Sequence, residues 1–129
     1  MLNMTGINKS KGAAPVQILY NVFQQMSVSI KIGKGFAGAV TENGRKIVKA
    51  GTPLTGDLTN RAVAFTAAGA DNAKGVLLHD VDVTEQDANA TLLIWGFVNL
   101  DRVDAATKAL LTAQVQTALK GQVYFLADN

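Results

Sequence analysis

His79 is the one histidine in the 129-residue chain, and Asp80 follows it directly. An imidazole beside a carboxylate is the pairing a general base needs. The flanking apolar residues make this segment a strand, and neighbours on a strand point to opposite faces, so His79 reads as structural. Asp80, Asp82, Glu85 and Asp87 form an acidic cluster whose hard oxygens suit Ca²⁺. The EF-hand pattern needs Gly at its sixth position and Glu at its twelfth, and neither stands there. Asp80 and Asp82 alternate with Val81 and Val83, which reads as the wet face of a strand. Gly33-Lys34-Gly35-Phe36-Ala37-Gly38 has a superficial likeness to a dinucleotide fingerprint. That motif must open a helix after a buried strand, and β-branched residues follow here instead. Serines and threonines with one unfavourably placed histidine give no catalytic triad. No catalytic, cofactor-binding or metal-binding residue is assigned, no cofactor is expected, and the chain does not read as an enzyme.

The elements around these residues form one globular domain. Hydrophobic residues make up 48% of the chain, enough for a real core and too many for a disordered tail. With no cysteine, rigidity has to come from packing or assembly. Met1–Gly6 has no basic stretch ahead of an apolar run, so it does not read as a signal peptide. The longest apolar run, Leu92–Val98, is far short of the ~20 residues of a spanning helix, so no membrane partner is expected. Residues 1–50 carry seven basic side chains against Glu42 alone, and residues 51–129 carry five basic and nine acidic ones. The basic residues form no dense run and aromatics are only 6%, which argues against nucleic-acid binding.

Residues 1–15 read as a flexible arm, closed by Pro15, and residues 16–129 as a single domain. Val16, Ile18, Tyr20 and Val22 share one face under a period of two, which predicts a strand. Ser27–Ile32 alternates polar and apolar as a half-buried strand. Phe36–Val40 and Ile47–Val48 are short strand candidates, and Glu42-Asn43-Gly44-Arg45 between them signals a type I′ hairpin. A further short strand is expected at Arg61–Thr66, and longer ones at Gly75–Thr84 and Thr91–Val98. Trp95 and Phe97 then share one face and Ile94 and Val98 the other, with Trp95 in the core. Asp101 is a candidate cap for one helix running through Ala105–Leu119, with Gly121 as its stop, before a last strand at Val123–Leu126. The expected fold is mainly β, a β-rich α+β arrangement. It is a small sandwich or barrel-like domain with one C-terminal helix and the N-terminal arm.

Three segments carry a resemblance: Ala50-Gly51-Thr52-Pro53-Leu54, Lys74-Gly75-Val76-Leu77-Leu78-His79-Asp80-Val81-Asp82-Val83 and Gly96-Phe97-Val98-Asn99. In this order they resemble core segments of the tailed-bacteriophage head decoration (capsid cement) proteins of the lambda D type. The resemblance spans about Phe36 to Asn99 and is weaker over the helix and last strand. It implies a structural protein, made in the host cytoplasm, that binds the outer surface of an expanded phage head. There it stabilises the virion's capsid against internal DNA pressure. It also implies the major capsid protein as partner, a homotrimeric state, and no direct contact with nucleic acid. The arm would then supply the capsid contact through Leu2, Met4, Ile7, Lys9 and Lys11, extended by Val16, Ile18, Tyr20 and Val22. Trp95 and Phe97 are the candidate subunit interface. The competing expectation is a small β module of a virion fibre that recognises a carbohydrate or receptor. Such a site wants exposed aromatics, and Tyr20, Trp95 and Tyr124 are the candidates.

Overall fold

The computed structural model describes residues 17–20 and 25–127. Among the described residues nine strands follow one another: β1 (Met26–Ile32), β2 (Val40–Glu42), β3 (Arg45–Val48), β4 (Pro53–Thr55), β5 (Thr66–Ala67), β6 (Gly75–Leu77), β7 (Val81–Asp82), β8 (Ala88–Asn99) and β9 (Val123–Leu126). Between β8 and β9 lie a 3₁₀ turn at Leu100–Arg102 and two short helices, α1 (Ala105–Lys108) and α2 (Ala113–Ala118). The larger sheet has the order β1-β8-β6-β4-β5, with β9 parallel to the far half of β8. The smaller sheet is β2-β3-β7. The fold is mostly β, as the alternating patterns and Gly-rich turns imply.

Two apolar clusters hold it together. One lies between the smaller sheet and the larger one and contains Ile30, Ile32, Val48, Leu54, Phe65, Leu77, Val83 and Leu92. The other lies under the helices and joins Ile18, Leu19, Val76, Leu93, Val98, Val103, Leu111, Val115, Leu119 and Val123. Strand β8 is buried on both faces because each cluster takes one of them, and this explains its nearly continuous apolar sequence.

The hairpin between β2 and β3 forms where Asn43-Gly44 places it, with both residues at positive φ (54° and 78°). The segment before it differs from expectation. Residues 33–39 form a pair of turns, with Phe36 N–H donating to the Gly33 carbonyl and Ala39 N–H to that of Phe36, and the strand begins only at Val40. At 61–66 the expected strand shrinks to β5, because Arg61–Ala64 is exposed turn and only Phe65 is drawn inward. The expected strand over Gly75–Thr84 breaks at Leu78–Asp80. β6 belongs to the larger sheet and β7 to the smaller, so the chain changes sheets at this corner. The Asp80 carboxylate fixes the corner by accepting from the Ala50 N–H at 2.7 Å.

The single long helix is also corrected. Buried positions run Val103, Thr107, Leu111, Val115, Leu119, every fourth residue. At ~100° per residue, a four-residue step drifts by roughly 40°, so a straight helix would turn these five through about 160°. Breaking the segment at Ala109–Thr112 re-aims the second half at the sheet. Thr112 caps α2, its Oγ1 accepting from the Val115 N–H at 3.3 Å. The candidate cap Asp101 lies instead in the 3₁₀ turn, and Gly121 (φ 84°) lies two residues past the last cap, in the turn into β9.

Candidate docking face

The chemistry-bearing residues do not converge. His79 is exposed, and the carboxylate of its neighbour Asp80 is engaged by Ala50 and, at 3.5 Å, by the Lys49 ammonium. A hydrogen bond to Glu42, followed by the charge of Asp80, holds Lys49 above the ordinary lysine range despite its partial burial. Of the other acids of the cluster, Asp82 and Glu85 share Arg45, and Asp87 is tied elsewhere. Asp82 takes the Arg45 Nε at 2.8 Å, Glu85 the Arg45 Nη1 at 3.4 Å, and Asp87 the Lys34 N–H at 2.9 Å. These bonds pin the Glu85–Asp87 connection and the β3–β7 pairing. Among the described residues no group of three or more potential ligands is placed to hold a metal ion.

Asp82 is held down to about 2, first by the Arg45 side chain and then by the Thr84 hydroxyl and N–H. The folded value lies below the unfolded one, so this pair stabilises the fold fully above roughly pH 4, and the contribution fades as pH falls toward 2. A carbon-13 NMR titration is expected to place the Asp82 midpoint near 2 in the native chain and clearly higher in Arg45→Met. An unmoved midpoint in that variant would show that Arg45 is not the cause.

The larger surface feature is aromatic. Across β1 and β8, Met26 opposes Trp95 but Ser27 opposes Leu93, so Ile94 is an extra residue on β8. Such a bulge reverses which side chains face which side downstream. Leu93 and Val98 therefore both enter the helix-side cluster, although an unbroken strand would oppose them, and Ile94 packs on the other cluster. Trp95 and Phe97 end up on the face that the smaller sheet covers further back along β8, beyond that sheet's reach. Trp95 is 41% exposed, contrary to its expected place in the core.

Neighbouring strands extend this face. Tyr20 reaches it from one side, its N–H donating to the Phe97 carbonyl at 2.7 Å, and Tyr124 lies opposite Phe97 on β9. The Phe97 and Tyr124 rings stack with centroids 5.5 Å apart, and Trp95 meets Phe97 edge-on at 5.8 Å. Val123 is buried beneath, while Tyr124 and Leu126 stay exposed on the outer side. Met26 completes the patch beside Trp95.

The sequence-derived site residues are thus sorted. Trp95 and Phe97 do lie together on an open surface. Ile18 is fully buried with Leu19 in the helix-side cluster, so it is not available to a capsid, and it does not share an exposed face with Tyr20. The short bridge from Leu19 to Val98 places this stretch against β8 as part of the domain. Leu2, Met4, Ile7, Lys9, Lys11, Val16 and Val22 lie outside the described residues. Met26 and Leu126 were not foreseen as part of the face. The alternation of Val123 and Phe125 with Tyr124 and Leu126 was the signal that could have found the β9 contribution. No protein-family model matches the chain, and no curated protein matches it.

Proposed function

We propose that this chain is a non-catalytic decoration protein that binds the outside of an expanded phage head and reinforces it against internal DNA pressure. The observation that carries the reading is the open aromatic end of a small β-sandwich, a surface with the composition of a docking patch. The decoration-protein resemblance supports it. Its segments lead into or form β4, β6 with β7, and the end of β8, and β4, β6 and β8 are adjacent in the larger sheet.

In the proposed mechanism the arm, residues 1–15, makes the contact with the major capsid protein, and copies of the domain, expected as a homotrimer, present their arms together. Fixing ~14 residues costs on the order of 14–28 kcal/mol of backbone entropy. At ~25 cal/mol/Å², offsetting ~20 kcal/mol takes about 800 Å² of apolar burial, less where new hydrogen bonds form. Leu2, Met4 and Ile7 are too few for that alone, and Ile18 is committed to the core. Avidity among several arms then makes weak single contacts cumulative.

The test is co-sedimentation with purified empty heads. The full chain is expected to pellet with expanded heads and to ignore unexpanded ones. Removing residues 1–14 is expected to abolish pelleting while the circular dichroism spectrum stays native. A truncated chain that still decorates heads at full occupancy overturns the arm mechanism, and a full chain that binds neither head state overturns the decoration reading.

One observation favours the second reading, a saccharide-binding fibre module. Tyr20, Trp95 and Tyr124 are all exposed, at 49%, 41% and 45%, and occupy one face. A saturable change in tryptophan fluorescence on titration with oligosaccharides would support that alternative.

A further inference from the structure

We propose that Asn43 is a site at which the chain modifies itself, by deamidation through Gly44, and that the Glu42–Lys49 ion pair restrains the rate. The inference is independent of capsid decoration. It concerns the chemistry of the backbone, and it holds with or without a shell.

Asn43 is one of nine asparagines and the only one followed by glycine. The reaction needs base and water and no enzyme. The Gly44 amide nitrogen gives its proton to base and attacks the Asn43 side-chain carbonyl carbon. The new C–N bond closes a succinimide ring, the bond to the side-chain nitrogen breaks, and ammonia leaves with a proton from solvent. Water then opens the ring at either carbonyl. One opening gives aspartate, the other isoaspartate, in which the backbone runs through the former side chain. A Cβ on the following residue would crowd the attacking nitrogen, and glycine has none. The turn is also open to solvent on this side. Nothing lies within 4 Å of the would-be Cβ of Gly44, and among the described residues no carbonyl accepts from its N–H.

The fold sets how often the attack can occur. In the closed turn Asn43 and Gly44 lie at φ 54° and 78°, and Glu42 pairs with Arg45. Ring closure requires the peptide plane between the two residues to rotate out of that turn, so the hairpin has to open first. Opening is local. β2 is an outer strand of the smaller sheet and pairs with β3, whose other side is held by β7. All three β2 residues are exposed, and neither apolar cluster contains one of them. A strand with so little burial opens at the low end of a protein's stability range. Its side-chain tie is the Glu42 carboxylate, which takes the Lys49 ammonium at 2.9 Å. Opening separates that pair, so the pair holds Asn43 away from the reactive geometry.

Either product alters this corner. A carboxylate appears beside Glu42, and the formal net charge of +2 falls by one. Isoaspartate also lengthens the backbone of a two-residue turn whose size fixes the pairing of β2 with β3. The smaller sheet thus carries a one-way record of the chain's age.

The test is incubation of the full chain at mildly alkaline pH, followed by tryptic mass spectrometry in heavy-oxygen water, which marks any conversion made during digestion. Trypsin releases residues 35–45 as a peptide whose only asparagine is Asn43. Asn43 is expected to convert before the other asparagines, to both aspartate and isoaspartate, and more slowly at mildly acidic pH. The native chain is expected to convert more slowly than the chain unfolded in urea. Glu42→Gln, checked for native circular dichroism, is expected to convert about two- to five-fold faster than the native chain, the range that an exposed ion pair supports. In urea the two chains are expected to share one rate, because the ion pair acts only in the fold. Asn43→Gln is expected to keep a single band on isoelectric focusing while the native chain gains an acidic one. The proposal is overturned by an Asn43 that stays intact while other asparagines convert, or by a native chain that converts at its unfolded rate. A folded Glu42→Gln that converts no faster than the native chain overturns it as well.

Discussion

Gly75→Ala is expected to destabilise the fold by about 3 kcal/mol or more, a large part of the ~5–15 kcal/mol that holds a domain of this size. A Cβ added at Gly75 would lie 2.3 Å from the Leu93 carbonyl oxygen and about 3 Å from the Leu92 side chain. Both belong to the central strand β8. A flexible side chain could swing away, but a backbone oxygen within a ladder cannot. Val76 pairs with Leu93 and Leu77 with Leu92, while Gly75 itself pairs with Leu54 on β4. Relieving the contact means separating β6 from β8, which opens both apolar clusters together. Gly44→Ala is the control. Gly44 lies at φ 78° with nothing within 4 Å of its would-be Cβ, so only the conformational cost of about 1 kcal/mol applies. Denaturant unfolding of both variants measures the difference. A Gly75→Ala protein within ~1 kcal/mol of the native chain would show that the β6–β8 spacing is not what excludes a side chain there.

The elements that could be read in the sequence are those whose cause is local. Asn43-Gly44 makes its turn because those two residues tolerate positive φ, whatever surrounds them. Ser27–Ile32 alternates because one face is wet, and it was legible for that reason. What could not be read depends on partners far along the chain. Leu78–Asp80 looks like strand, but it bends because Ala50, thirty residues away, offers its N–H to Asp80. Ala105–Leu119 looks like one helix by propensity, and it breaks because the sheet beneath needs every fourth residue turned toward it. The docking face was half legible. Its aromatic members could be named, but their exposure depends on one extra residue at Ile94, and a bulge leaves no mark in an apolar run where every residue suits a strand.

Phe65 and Trp95 invert what their surroundings in the sequence suggest, and Phe65→Ala tests the inversion most strongly. Trp95 stands in the most apolar run of the chain and is 41% exposed, whereas Phe65 stands between exposed Ala64 and Thr66 and is 1% exposed. Phe65 is held by its own N–H, which donates to the Lys31 carbonyl at 2.8 Å, and by a parallel bridge to Ile32. Its ring thus enters the cluster shared with Ile30, Ile32, Leu54 and Leu77 from the segment that leads into β5. Truncation leaves a void among strands β1, β4 and β6 that the short β5 is too slight to close. The expected loss is about 3–5 kcal/mol, read from denaturant midpoints, with Phe65→Leu recovering more than half of it. Trp95→Lys is expected to cost much less fold stability, because its partly open ring gives up little buried area. If Phe65→Ala costs under ~1 kcal/mol, or less than Trp95→Lys under the same conditions, then the assignment of one aromatic to the core and the other to the contact face is wrong. The docking proposal built on that division would fall with it.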